Sequence, residues 1–354
     1  MSLHLCNVTR TSPHLYLNDT DLPSHLKPPI RLPLSIASGH GLPLPLVGAQ
    51  RSAKVLPSVA LDKKNGGSKF MTGVAKRFRE AKGILVNTFE ELESYPLRCL
   101  AGNDKVPPIY PVGPVVHFVK GGKEADEEVI RIMRWLDDQP PSSVVFLCFG
   151  SIGTFDGHQV REIAQALEQC GHRFLWSVRQ PPPKGIIEMP SEYQDLNEVL
   201  PEGFLERTAE RGKVIGWAPQ VAVLSHNAVG GFVSHCGWNS ILESLSCGVP
   251  MATWPMYAEQ QINAFQLVRE LGLAVEIKLD SKRYVFNECI EDTLVTANEI
   301  EKGLRKLMGN EDTSSTEGIK QKVKEMSEKS KVAIGEGGSS YNSIEGFIED
   351  VVAN

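Results

Sequence analysis

Residues 217–260 read WAPQVAVLSHNAVGGFVSHCGWNSILESLSCGVPMATWPMYAEQ. Within this stretch Gly230-Gly231-Phe232-Val233 is a short apolar strand, Ser234-His235-Cys236-Gly237 is a turn, and a helix opens at Asn239-Ser240. A strand that stops where a helix begins gathers backbone N–H groups at one point, and the helix dipole adds a potential that favours negative charge. The small, polar and cation-capable residues at this junction suit a phosphate-bearing ligand.

Working outward, the same alternation repeats. Val144–Phe149 is an unbroken apolar run, the mark of a strand covered on both faces. Val160, Ile163, Ala164 and Leu167 recur at helical spacing, and Gly171 closes that helix. Phe174–Val178 is a strand, Pro181-Pro182-Pro183 a loop, and Val214-Ile215 a further strand. Beyond the junction come the strand Met251–Trp254, a helix Gln261–Leu271 closed by Gly272, and the strand Ala274–Ile277. Thr296 and Glu299 are spaced as a capping box for a helix ending at Met308. A charged helix is expected from about Ile319, and an amphipathic one carries Ile344, Phe347, Ile348 and Val351. Repeated βα units with short connections imply an α/β fold built on a doubly wound parallel sheet, whose ligands bind at the carboxyl ends of its strands. His235–Ser240 lie at such an end.

The N-terminal part reads differently. Residues 1–56 hold prolines at 13, 23, 28, 29, 33, 43 and 45 and show no sustained periodicity, so they are expected to be irregular. Lys69–Ala81 favours helix, Gly83–Phe89 is a buried strand, and Glu90-Glu91-Leu92-Glu93 opens a short helix. Val115–Glu127, with Gly121-Gly122, reads as a linker, and a second domain is expected from Arg131. The resulting division is 1–56, 57–130 and 131–354.

Bulk properties narrow the class. At 354 residues the chain exceeds one ordinary domain, and 41% hydrophobic with 23% charged residues excludes a disordered chain. A net charge of −6 gives no general attraction to nucleic acid or anionic membranes, so an anion site must be local. Seven cysteines without a C-x-x-C pair indicate neither a disulfide framework nor a zinc site, and no acidic metal cluster appears. With no leader and no apolar run of about 18 residues, a cytoplasmic location is expected, where the sequons at Asn7 and Asn18 carry no consequence.

The stretch Trp217–Gln260 resembles the signature box of the plant secondary-product glycosyltransferases, the family 1 UDP-glycosyltransferases. The likeness runs from about Pro57 to the C-terminus and includes Gly83–Glu93, Tyr110–Pro114, Trp135-Leu136-Asp137, Cys148-Phe149-Gly150-Ser151 and Leu200–Phe204. It implies a GT-B fold of two Rossmann-like domains, with the donor bound by the C-terminal one. Against the family pattern the N-terminal domain is expected to be truncated or aberrant.

The resemblance also implies residue roles. Trp217 would stack on uracil, for which an indole face is well suited; the alternative is a core tryptophan at a strand end. Ala218 and Gln220 would contact uracil and ribose. Glu243 would accept hydrogen bonds from the ribose hydroxyls, or complement the helix dipole, or both. His235 would donate to a phosphoryl oxygen. Asn239 and Ser240 would bind the diphosphate, or merely cap their helix. Trp238 would shape the loop and offer its backbone, and Ser151, on a second strand-to-loop junction, would face the diphosphate or be an ordinary turn serine. Glu259 and Gln260 would hold the sugar hydroxyls, Gln260 resembling the glucose-preferring members.

The implied reaction is inverting sugar transfer from a UDP-sugar, UDP-glucose by preference, to a hydroxyl of a small lipophilic acceptor such as a flavonoid or another phenolic. UDP-sugar is then a co-substrate, with no cofactor and no metal. The family's base is a histidine near the N-terminus. Ser38-Gly39-His40-Gly41-Leu42-Pro43 is only superficially similar to that turn, so His40 is not assigned and the catalytic base is left unknown. Two alternatives follow: a UDP-sugar-binding remnant with little or no turnover, and a nicotinamide-dinucleotide protein, which the lack of G-x-G-x-x-G after any strand disfavours. The last helix, near Ile344–Val351, resembles the one that returns to the N-terminal domain in this family; with that domain incomplete, its apolar face (Phe347, Ile348, Val351) is expected to be partly exposed and open to self-association.

Overall fold

The structure, a computed structural model, describes residues 5–6, 56–116, 127–183, 185–186, 188–280, 294–309 and 313–352. His40, both sequons and most of the Val115–Glu127 linker lie outside the described residues.

In chain order the N-terminal part comprises β1 (Leu5–Cys6), α1 (Ser58–Leu61), α2 (Gly67–Phe78), β2 (Ile84–Val86), α3 (Glu90–Ala101) and β3 (Ile109–Pro111). β2 and β3 pair in parallel, Leu85 against Tyr110. β1 joins β2 antiparallel, a short strand within the segment expected to be irregular. α4 (Glu127–Asp137) then runs across the boundary expected at Arg131.

The rest builds β4 (Val144–Cys148), α5 (Gly157–Cys170), β5 (Arg173–Ser177), α6 (Phe204–Thr208), β6 (Gly212–Ile215), α7 (Gln220–Leu224), β7 (Val229–Ser234), α8 (Trp238–Cys247), β8 (Met251–Thr253), α9 (Gln260–Phe265), β9 (Ala274–Glu276), α10 (Ala297–Met308), α11 (Thr313–Ile334) and α12 (Ser339–Phe347). Between α9 and Gly272 lies a π-type turn, Gln266–Leu271. Gly272 itself takes the left-handed conformation at φ 62 that ends the helix. The capping box at α10 is present, with Thr296 and Glu299 bonded reciprocally.

Six strands form one sheet in the order β6-β5-β4-β7-β8-β9, every pair parallel. Counted within the sheet this is the 3-2-1-4-5-6 order of doubly wound nucleotide-binding folds, which reverses between β4 and β7. Cys148 pairs with Ser234, so both strands end level and their following loops open the crevice at the reversal.

The sequence of β4 explains its position. All five residues are buried, because alternate side chains enter different layers. Phe146 stacks on Phe232 with ring centroids 5.3 Å apart on one face, among Leu136, Ile241 and Leu245. Val145 and Leu147 point to the other face, with Leu167, Trp176 and Trp254.

The N-terminal part shares the first of these cores through Phe89 and Leu92. The last helix returns to the small sheet: Phe347 meets the Tyr110 ring edge-on at 5.3 Å, and Tyr110 Oη donates to Asp350 at 2.9 Å. Of the face expected to be partly exposed, Phe347 is therefore covered. Ile344 and Ile348 of the same segment remain exposed, and the side chain of Val351 lies outside the described residues.

Candidate functional site

The loops after β4 and β7 carry Ser151 and His235–Ser240, while Trp217–Gln220 follow β6 and Glu259–Gln260 follow β8, all at the carboxyl end of the sheet. After β4 the chain turns at Gly150, φ 75, and presents Ser151 to solvent. After β7 comes His235, buried, with Gly237 following. A Cβ on Gly150 would stand 2.7 Å from His235 Nε2, and one on Gly237 would stand 2.5 Å from it. Both positions need glycine because the imidazole lies directly over their α-carbons.

Burial lowers the His235 pKa to about 4, so the ring is neutral at pH 7 and carries one N–H rather than a positive charge. Its Nδ1 is buried with no hydrogen-bond partner. A buried, unpaired imidazole nitrogen costs about 1–3 kcal/mol, and functional sites are where such a deficit persists.

α8 starts one residue earlier than expected, at Trp238, with Gly237 as its N-cap and no side chain bonded to the cap. Asn239 and Ser240 are thus not capping residues. Asn239 is exposed, and the first-turn amides of a ten-residue helix stay open to an anion. Trp238 is buried, and its Nε1 donates to the Asn87 carbonyl at 2.6 Å, fixing the loop to the N-terminal part.

Gln220, at the start of α7, reaches α8. Its Nε2 donates to Ser240 Oγ at 2.8 Å and to Glu243 Oε2 at 2.5 Å. Glu243 lies beyond the first turn of α8, too deep for the dipole to be its main role. Desolvation raises its pKa while the Gln220 amide opposes the rise. Trp217, three residues before Gln220, is 55% exposed, which excludes a core tryptophan. Ala218 beside it is buried.

Glu259 and Gln260 stand where α9 begins, Glu259 as its N-cap and half-buried. Gln260 is buried, and its Oε1 accepts from the backbone N–H groups of Met256 (2.9 Å) and Tyr257 (3.0 Å). Its carbonyl therefore shapes the turn, while its amide lies against the Tyr257 phenol, whose pKa burial raises and that contact opposes.

Residues not singled out from the sequence also contribute. Asn263, one turn into α9, donates from Nδ2 to the Cys236 carbonyl at 3.0 Å, joining the two turns. It holds Cys236 in the left-handed region at φ 62, which costs a non-glycine residue about 1–3 kcal/mol. Glu192 accepts from the Trp217 N–H at 3.0 Å. The Cys148 and Cys236 thiols are buried and pushed up to about 11 and about 12, so they are inert packing groups. Among the described residues no cluster of three or more His, Cys, Asp or Glu is placed to hold a metal ion. No helix among them is long and apolar enough to cross a membrane.

The loops at this end of the sheet thus carry an exposed indole, an amide–carboxylate pair, an uncapped helix start and a neutral imidazole. The model of the family described as UDP-glucoronosyl and UDP-glucosyl transferase matches residues 106–288. The chain is 56% identical over 300 residues to UDP-glycosyltransferase 101 of Panax ginseng, covering 85% of this chain and 62% of the relative. It is 55% identical over 299 residues to anthocyanidin 3-O-glucosyltransferase 2 of Manihot esculenta, covering 84% of this chain and 81% of that protein. Among solved structures, Medicago truncatula UGT71G1 complexed with UDP-glucose superposes with a TM-score of 0.74 at 41% identity, covering 94% of this chain and 64% of the other. The chain thus spans less than two thirds of the length of the ginseng relative. The fold is of the GT-B type, and the chain belongs to the UDP-glucoronosyl and UDP-glucosyl transferase family.

Proposed function

We propose that the β4–β7 crevice binds UDP-glucose and that the protein transfers its sugar, with inversion, to a hydroxyl of a small lipophilic plant metabolite. The observation that carries this reading is His235: a neutral ring with an unpaired buried nitrogen, over two obligatory glycines, beside an uncapped helix start at the sheet's switch point. A diphosphate would take its hydrogen bonds from the α8 amides, Asn239, Ser240, Ser151 and the imidazole. Uracil would lie on Trp217 beside Ala218, and the ribose would use Gln220 and Glu243. Glu259 and the Gln260 amide would meet the sugar, and Trp238 would hold the loop in shape.

The donor and acceptor classes draw support from relatives: UGT71G1 was solved with UDP-glucose, and the Manihot protein is named for an anthocyanidin acceptor. UDP-sugar is the co-substrate, with charge on the departing UDP stabilised by donors and the helix dipole. The free thiols at Cys99, Cys148, Cys170, Cys236 and Cys247 support a reducing, cytoplasmic setting. The division 1–56, 57–130 and 131–354 is kept as the proposed layout, its second boundary falling inside α4 and its last part carrying the donor site.

Incubation with UDP-glucose and a panel of flavonoid and phenolic acceptors tests the transfer. UDP release matched by glucoside formation is expected. Tight UDP-glucose binding without glucoside would replace transfer by donor binding alone, and indifference to UDP-glucose would remove both.

A further inference from the structure

One peptide unit carries Trp217, and it is held at both of its polar atoms. The Gly216 carbonyl accepts from Ser177 Oγ at 2.6 Å, and the Trp217 N–H donates to Glu192 Oε1 at 3.0 Å. The Glu192 carboxylate lies so close over the Gly216 α-carbon that a side chain at 216 would have to displace it. Ser177 ends β5, inside the sheet, whereas Glu192 arrives from an excursion outside it.

That excursion is itself tied down. Gln180 and Ser191 exchange both backbone hydrogen bonds, at 2.8 and 3.1 Å, and Ser191 Oγ donates to Gln180 Oε1 at 3.2 Å. The Arg179 guanidinium donates to the Pro190 and Ser191 carbonyls. Glu192 is therefore an exposed carboxylate on an anchored strap, bonded to the backbone of a largely exposed indole.

We propose that Glu192 is a positioning residue for the nucleotide base, resting on the donor-site reading above: it fixes the peptide plane from which the Trp217 ring projects. An indole that is 55% exposed is only partly held by packing, so the backbone from which it projects contributes to its direction. A charge-assisted hydrogen bond to that N–H, opposed by Ser177 on the carbonyl side, supplies the restraint. Pre-ordering the platform lowers the entropy lost when a base stacks on it.

The test is calorimetric titration of the full chain and its Glu192→Ala, Glu192→Gln and Ser177→Ala variants with UDP and, separately, with inorganic pyrophosphate. Glu192 is exposed, so its variants keep the wild-type melting temperature. Glu192→Ala is expected to weaken UDP about tenfold and leave pyrophosphate unchanged, because only UDP carries a base. Glu192→Gln, which keeps an acceptor oxygen, stays within about threefold of wild type, and Ser177→Ala weakens UDP in the same sense. Wild-type UDP affinity in Glu192→Ala, or an equal loss for UDP and pyrophosphate, overturns the proposal. Failure of the wild-type chain to bind UDP overturns the donor reading itself, which is a distinct result.

Discussion

The side-chain amide of Gln220 is shared between Ser240 and Glu243, 2.8 and 2.5 Å away, and so joins α7 to the helix that opens the crevice. Without that donor the half-buried Glu243 carboxylate loses the interaction that offsets its desolvation. Gln220→Ala is expected to raise the dissociation constant for UDP-glucose about tenfold, while Gln220→Glu, which sets two carboxylates together, is expected to be worse. Calorimetric titration of the two variants checks the order.

Trp217 separates binding from folding. Because its ring is largely exposed, Trp217→Ala should change stability by less than about 0.5 kcal/mol. Loss of a base-stacking platform should cost about 1–3 kcal/mol of UDP affinity, and Trp217→Phe should recover part of it. Paired thermal melts and UDP titrations decide; a large drop in melting temperature with unchanged affinity would make it a structural residue.

His235 predicts an acid response. Its folded pKa, about 4, lies below the ordinary 6.5, so its contribution to stability is fully present above pH 6.5 and is lost as pH falls toward 4. Roughly 2–3 kcal/mol should disappear by pH 4.5 through this group alone. Urea unfolding of wild type and His235→Asn at pH 7 and pH 4.5 measures the difference, which should be smaller in the variant.

Trp238 tests the link between the two parts of the molecule. Trp238→Phe keeps most of the buried ring but leaves the Asn87 carbonyl without its donor, at a cost of about 1–3 kcal/mol. Hydrogen exchange should show the added opening in β2 and α3 rather than across the six-stranded sheet.

How much of this was legible follows from the range of the interactions. β4, β7 and the β7–α8 junction are visible because their signals are local: an unbroken apolar run and small residues where a strand stops. Switch-point order follows from short βα connections, which leave few ways to wind the sheet. Trp217 could be read as core or as platform, and only its exposure in the fold excludes the core. Glu192 and Asn263 left no pattern, because each acts on backbone far away in sequence, across 25 and 27 residues. The Gln260 carbonyl is spent on its own turn, a detail of loop geometry that residue type does not carry. Phe347 is covered by Tyr110, far away in sequence, a contact that helical periodicity does not carry.

The central claim is that this crevice takes a uridine diphosphate sugar through the neutral His235 and the open start of α8. Isothermal titration of the chain with UDP-glucose, UDP and NAD, repeated with His235→Ala, tests it most directly. Saturable one-site binding of UDP-glucose, competed by UDP, absent with NAD and weakened at least tenfold by His235→Ala, is the predicted result. Binding of NAD in its place, or UDP-glucose affinity unaffected by the loss of His235, would contradict it.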